Sequence, residues 1–507
     1  QAKKPAAEEI PRIAHGLDRV LFSPGVHFLQ DPRTRIFNFT KYLEKIRPYD
    51  DFDSSKFPGF VSSSKDQTLL LEAIKQNKTY YSSTSSMTLT LIQFYLLLNN
   101  YTASLASEHR FNYPKFTRNA LRMPLCLLVE PKGTNNEGNT VYSVTSDKST
   151  DVEILLLALG HCLEALLTTE ENEFAHYLIK SPNKTNALSG AAEGLVPEKA
   201  VNVYNYSSYG GFLMRSQLDC FDPRLPGNGT FDLKTRAACA IRYDQHPDSA
   251  RTNYRISRSY GRIESFEREY SDLIKTGGLL KYGFQARIGQ MDGIFIAYHS
   301  VNSFSGFQYL PLSEIDRVFY TDGRVQTTIE TRHTAEQVLE NDNIASFVAE
   351  NQFKVSLAVW EEIMEVAVDD FKGTEHEGMP YRLIMKRETR LLRASRPLNM
   401  HANDALHESY MTVFAVPMTQ SKIEKLQNFA SQFKTSFREN LTQEQRLLNL
   451  LEAERKLNEL NSEVVEDVPL LSYRIKTHYQ AKNCTSLHHP YPASVREEAE
   501  WRYTIER

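Results

Sequence analysis

The stretch Gly211–Arg236, GFLMRSQLDCFDPRLPGNGTFDLKTR, constrains this chain more than any other. In Phe212–Asp219 the side chains alternate, with Arg215, Gln217 and Asp219 on one face and Phe212, Met214 and Leu218 on the other. In Phe231–Arg236 the same period sets Asp232, Lys234 and Arg236 opposite Phe231 and Leu233. The connection Asp222–Gly229 is dense in Pro, Gly, Asp and Asn, which favours a tight reversal over a crossover. The two segments therefore read as a β-hairpin. Pairing them brings Asp219 and Asp232 together beside Lys234.

Two carboxylates suit a hard divalent cation, Mg²⁺ or Mn²⁺, which keeps some of its waters and has room for a phosphate oxygen. Such an ion neutralises phosphate charge and lowers the pKa of a bound water, while a nearby ammonium positions that water and stabilises the transition state. An Asp followed by Asp/Glu-x-Lys, after a helical Glu upstream, resembles the signature of the PD-(D/E)XK nuclease superfamily. That resemblance implies an α/β fold with a central mixed sheet flanked by helices. Asp-x-Lys alone arises by chance in most chains of this length, and alternating charge usually marks a solvated strand face. The flanking segments carry the weight.

Val152–Thr168 is a nearly continuous apolar helix pattern in which His161, Glu164 and Thr168 fall on one stripe. A carboxylate on such a helix needs a partner, and the Asp219/Asp232 site supplies one for Glu164. A lone His161 is most simply a core histidine. His161-x-x-Glu164 upstream of the acidic pair, however, resembles the helical element of the RecB and lambda-exonuclease branches, which implies Glu164 as a metal or water ligand and His161 as an additional one. Glu264–Met291 reads as helical, broken at Gly277-Gly278. Gln285 there resembles the Gln of the Gln-x-x-x-Tyr helix of those branches, although position 289 is Gly. Glu267 and Glu269 read as ion-pair partners of Arg268 or Lys275.

A chain of 507 residues forms two or three structural units. We divide it into an N-terminal extension (1–120), a nuclease-like core (121–330) and a C-terminal α+β portion (331–507). No run approaches the ~20 apolar residues that span a bilayer, so membrane association is expected to be peripheral. The net charge of −4 provides no global basic field, and a nucleic-acid partner then needs a local channel. Five cysteines without a Cys-x-x-Cys pair argue against a zinc ribbon or disulfide scaffold. The opening Gln1 is consistent with a trimmed targeting segment and leaves localisation open. Candidate phosphate contacts are Arg19 and Arg33, with Arg12 and Arg35 nearby, and Arg215 and Arg236 beside the acidic pair; salt-bridged arginines are the simpler account. Ser82–Met87 reads as a helix cap, and Lys386–Arg396, the densest basic run, as a groove lining or a solvated loop. Gln443–Glu463 reads as one amphipathic helix packed on the body or a partner.

Several longer blocks, GLDRVLFSPGVHFLQDPR (Gly16–Arg33), SSTSSMT (Ser82–Thr88), LGHCLEALLT (Leu159–Thr168), Phe212–Ala237, ESFEREY (Glu264–Tyr270) and GQMDGIFIAYH (Gly289–His299), together resemble a fungal petite-class family of mitochondrial proteins governing RNA 5′-end processing and decay. That resemblance implies a matrix protein, peripheral on the inner membrane, that degrades single-stranded RNA from a free 5′ end and associates with the mitochondrial RNA polymerase. The chain departs at Gly210-Gly211, where an acidic residue is expected, and at Gly289. Two functions follow. One is a metal-dependent exoribonuclease in which Asp219 and Asp232 ligate the ion, Glu164 completes the site and Lys234 positions water. The other is a nuclease-fold binding module serving the transcription machinery.

Overall fold

The computed structural model describes residues 5–57, 59, 61–99, 116–117, 124–149, 155–179, 202–243, 254–320, 335–391, 407–432, 442–481 and 499–507. Its strands, numbered in chain order, are β1 (Val26–Phe28), β2 (Tyr80–Ser83), β3 (Leu125–Thr134), β4 (Thr140–Ser146), β5 (Tyr204–Tyr209), β6 (Phe212–Gln217) and β7 (Cys220–Phe221). They continue with β8 (Thr230–Ala237), β9 (Gly293–His299), β10 (Phe304–Pro311), β11 (Tyr381–Leu391), β12 (His407–Pro417), β13 (Leu471–Ala481) and β14 (Ala499–Glu506). The helices of nine residues or more are α1 (Gln67–Lys75), α2 (Thr84–Leu98), α3 (Leu155–Thr168), α4 (Phe266–Lys275), α5 (Gly278–Gly289), α6 (Leu312–Tyr320), α7 (Ala335–Phe371), α8 (Gln420–Gln432) and α9 (Gln443–Val465).

The architecture is mixed α/β with helix-flanked mixed sheets, and the strands are divided between two of them. One is five-stranded, in the order β1-β10-β9-β8-β7; the other is nine-stranded, in the order β14-β13-β12-β11-β3-β4-β2-β6-β5. The larger sheet draws on strands from 80–83 to 499–506.

The hairpin expected of Phe212–Arg236 is not formed as such. β6 pairs with β5 and β2 in the nine-stranded sheet, and only Cys220 and Phe221 pair with β8, opposite Phe231 and Thr230. The apolar alternation holds nonetheless, with Phe212, Met214 and Leu218 in one core cluster. A strand whose two edges are already taken by β5 and β2 has no edge left for β8, so the chain leaves one sheet at Leu218-Asp219 and enters the other at Cys220.

β8 and β9 run parallel, with Asp232 beside Ile294, Lys234 beside Ile296 and Arg236 beside Tyr298. Every residue of β9 is buried, as expected of a strand covered on both faces. Phe231, Leu233, Phe295 and Ala297 face a cluster built by α3 and the N-terminal extension (Leu17, Val20, Leu43). Ile294, Ile296 and Tyr298 face the main core with α4 and α5. Gly160 lets α3 approach β8 closely: a Cβ there would lie 3.2 Å from Thr235 Oγ1.

Three local expectations change. Glu269 is buried and accepts the Cys239 amide (2.8 and 3.0 Å) instead of pairing with a cation, while Glu267 accepts the Gly261 amide. The first part of the basic run lies on strand β11, where Lys386 pairs with Glu388, and not in a loop; Arg393 and Arg396 lie outside the described residues. Gly210-Gly211 is the two-residue turn between β5 and β6, with Gly210 at φ 53, and an added Cβ at Gly211 would lie 2.1 Å from Glu361 Oε1. Conformation and space both call for glycine there.

Candidate active site

Asp219 stands at the crossing between the sheets, where its Oδ2 accepts the Leu233 amide at 3.1 Å. That amide lies on the edge of β8 just past its two-residue pairing with β7, so Asp219 replaces a missing ladder partner. The bond fixes the Asp219 carboxylate beside Asp232, which β8 buries to 4% exposure. The loop between β7 and β8 is held by Asp292, whose carboxylate accepts the Asn228 and Gly229 amides at 2.9 and 2.7 Å.

Lys234 Nζ donates to Asp232 Oδ1 at 2.9 Å. It also lies 2.8 Å from Oδ2, but too poorly directed to satisfy that oxygen, which is buried without a hydrogen-bond partner. Burial, then the charge of Asp232, pushes the Asp219 carboxyl well above the ordinary carboxylate value. Burial opposes the charge on Lys234, but Asp232, Asp219 and Glu164 outweigh it and hold the ammonium protonated above the ordinary lysine value.

α3 brings Glu164 close enough to act on both Asp219 and Lys234. It is partly exposed, and its Oε2 lies 3.5 Å from His161 Nδ1, which raises the His161 pKa. The polar stripe of α3 thus points to the open side of the site and not into a closed core, with His161 68% exposed. Gln285 lies on α5, and its Oε1 is buried without a hydrogen-bond partner. Gly289 leaves no room for the tyrosine of the Gln-x-x-x-Tyr pattern unless neighbours shift: a Cβ there would lie 2.6 Å from Met291 Cε and 2.7 Å from Ser216 Oγ. Tyr282, one helical turn before Gln285, instead places its ring 5.7 Å from Lys234 Nζ. The sequence reading missed Tyr282 because it looked only C-terminal to Gln285; the i, i+3 spacing was the available signal.

The arginines do not gather here. Arg215 is buried, ion-paired with Asp66 and donating to the Val61 carbonyl at 2.7 Å. Arg236 shares the Asp232/Lys234 face but donates to Asp272 at 2.7 Å, in a network with Arg242. Arg19 stacks on Phe39 at 4.3 Å, and Arg33 sits exposed in the turn capped by Asp31.

Among the described residues no three His, Cys, Asp or Glu side chains converge tightly enough to enclose an ion. Asp219 and Asp232 stand side by side, and the unsatisfied Asp232 Oδ2 together with the mutual repulsion of the two carboxylates fits a divalent cation that takes its remaining ligands from water and phosphate.

Fold and site define a mixed α/β protein built around a carboxylate pair, one member of it buried, and a lysine. The chain belongs to the family described as mitochondrial protein Pet127, whose model matches residues 60–365. It is 34% identical over 476 residues to a Saccharomyces cerevisiae protein described as a putative mitochondrial translation system component, covering 87% of this chain and 54% of that one. It is likewise 34% identical over 324 residues to a Schizosaccharomyces pombe mitochondrial protein named for mRNA degradation, covering 63% of this chain and 59% of that one. The chain thus spans little more than half the length of these relatives. Among solved structures, Candida albicans Rai1 in complex with pU5 and Mn²⁺ overlaps at a TM-score of 0.31 and 11% identity, covering 66% of this chain and 75% of that one. Scheffersomyces stipitis Rai1 with (3′-NADP)⁺ and calcium gives 0.30 and 10%, covering 73% and 82%. Overlaps of that size carry no functional weight. No helix among the described residues is long and apolar enough to cross a membrane.

Proposed function

We propose that this chain is a metal-dependent exoribonuclease that degrades single-stranded RNA from a free 5′ end, in mitochondrial RNA 5′-end processing and decay. The observation that carries the reading is the convergence of half-buried Asp219 and buried Asp232 on an ammonium held 2.8–2.9 Å from Asp232. Membership of a family of mitochondrial proteins, one relative of which is named for mRNA degradation, supports the RNA substrate. Direction of digestion, association with the mitochondrial RNA polymerase and peripheral placement on the matrix side of the inner membrane come with the sequence resemblance and belong to the same proposal.

Asp219 and Asp232 would hold Mg²⁺ or Mn²⁺, which when bound supplies charge neutralisation at the scissile phosphate and a more acidic water. Lys234, protonated, donates to the attacking oxygen or to a non-bridging phosphate oxygen and stabilises the charge that develops there. The unpartnered Gln285 Oε1 is an acceptor for a proton of the attacking water. Glu164, partly open to solvent, takes that proton away in this reading. Water oxygen bonds to phosphorus, the bond to the 3′ oxygen breaks, that oxygen takes a proton from a solvent water as it leaves, and Glu164 returns its proton to solvent.

The test is 3′-labelled single-stranded RNA with a 5′-monophosphate, beside the 5′-triphosphate form and matched DNA, in Mg²⁺ or Mn²⁺. Loss from the 5′ end, abolished by EDTA and reduced on the order of 100-fold or more by Asp232→Asn or Lys234→Ala, is the expected result. Undiminished turnover in both variants removes the site assignment. No cleavage of any substrate, with RNA still bound, makes the chain a binding module with structural carboxylates.

A further inference from the structure

Helix α9 carries two apolar faces, and only one of them is covered. Near its C-terminal end Leu460 and Val464 pack with Ile423 and Leu426 of α8, and Lys425 pairs with Glu463. At about 100° per residue, Leu447, Leu448 and Leu451 point a third to nearly half of a turn away from that seam, while Leu450 lies about a sixth of a turn from it. Leu447, Leu448, Leu450 and Leu451 are 55, 58, 62 and 53% exposed. Nothing suggests a frayed end. Thr442 and Gln445 form a reciprocal capping box at the start of the helix, and Arg455 bridges Glu452 and Glu459. Four adjacent half-exposed leucines on a capped helix form a contiguous patch of the kind that marks an interface.

We propose that this face is a self-association surface, joining two copies of the chain through antiparallel pairing of their α9 helices about a two-fold axis. The charges flanking the leucines name the occupant. An axis passing between Asn449 and Leu450 sets Leu448 against Leu451 of the second copy, and Glu444 against Arg455 of the second copy. Acid and base lie at equal distances on opposite sides of that axis, which is the condition for a patch to complement itself. Parallel pairing would instead oppose Glu444 to Glu444. Leu448 and Leu451 flanked by Leu447 make a small interface, below ~1,200 Å² in total, and such a contact belongs to the micromolar range.

The proposal is independent of the nuclease reading. Sedimentation velocity of the full chain and of its Asp232→Asn variant, over a hundredfold concentration range, should show the same monomer–dimer equilibrium in both. Leu447→Glu with Leu451→Glu should weaken it at least tenfold while circular dichroism keeps the helical signal. Glu444→Arg alone and Arg455→Glu alone should each weaken it, because each opposes like charges at both ends of the pairing. An equimolar mixture of these two variants should recover dimer, since each helix then meets its complement. A chain monomeric at every concentration overturns the proposal. So does a dimer indifferent to the leucine substitutions, or one that the mixture fails to restore.

Discussion

The Leu233 amide donates to the Asp219 carboxylate across 3.1 Å, tying a residue between two sheets to the edge of β8. The same bond keeps Asp219 against Asp232, where burial and mutual repulsion raise its pKa. A divalent cation relieves that repulsion, so Mg²⁺ or Mn²⁺ should stabilise the wild-type chain by on the order of 2–3 kcal/mol at a hundredfold excess over Kd. Asp219→Asn should lose the metal-dependent rise in Tm while keeping a metal-free Tm at least equal to wild type. Equal metal responses in the two proteins, read by differential scanning calorimetry, would sink the metal assignment.

Tyr282 lays its ring beside Lys234, on the α5 face that also carries Gln285. Tyr282→Phe keeps the ring and should retain most activity. Tyr282→Ala frees the ammonium and should lower kcat about fivefold with little change in KM, the loss of a cation–π contact worth about 1 kcal/mol. Phe and Ala variants with the same kcat would show that the ring does not position Lys234.

Gly289 ends α5 where the helix meets β6, and its carbonyl accepts from Asn205 at 2.9 Å. Installing the tyrosine that the Gln-x-x-x-Tyr pattern expects should therefore destabilise the protein, by about 1–3 kcal/mol through overpacking against Ser216 and Met291. Urea denaturation of Gly289→Tyr measures it; unchanged stability would mean that β6 and α5 can separate without cost.

His299, buried at the end of β9 with Nδ1 2.6 Å from the Ser300 carbonyl, has its pKa lowered by burial to about 4. Its unfolded value is the ordinary one near 6.5, so between these values the unfolded chain binds the proton and the folded chain does not. Stability falls as pH drops through that window, by about 3 kcal/mol over its full width. His299→Gln should flatten this part of the slope, and the wild-type-minus-variant difference in unfolding free energy from pH 7 to pH 4 reads it directly.

What was legible in the sequence was what the local period controls. Alternation in Phe231–Arg236 placed Asp232 and Lys234 on one face, and the apolar run 152–168 gave the helix bearing His161 and Glu164. The partner of β6 was not legible, because its pairing with Tyr80–Ser83 spans more than a hundred residues and leaves no local trace. Glu269 misled the helical charge rule because its partner, the Cys239 amide, lies thirty residues away in the chain. The arginine contacts failed to gather for a related reason: Asp66 and Asp272, which hold Arg215 and Arg236, are brought in by tertiary packing alone.

The passage of the chain between sheets at Asp219 bears on the order of assembly. Asp219 follows β6, whose partner β2 lies more than a hundred residues upstream, and Asp232 stands on β8, whose parallel partner β9 comes only after α4 and α5. Loop-closure entropy makes such long-range pairings the slow ones. A nascent or half-folded chain can therefore own a complete β8 and still lack the carboxylate pair. The carboxylate pair is thus expected only in a chain that has brought both sets of distant strands together.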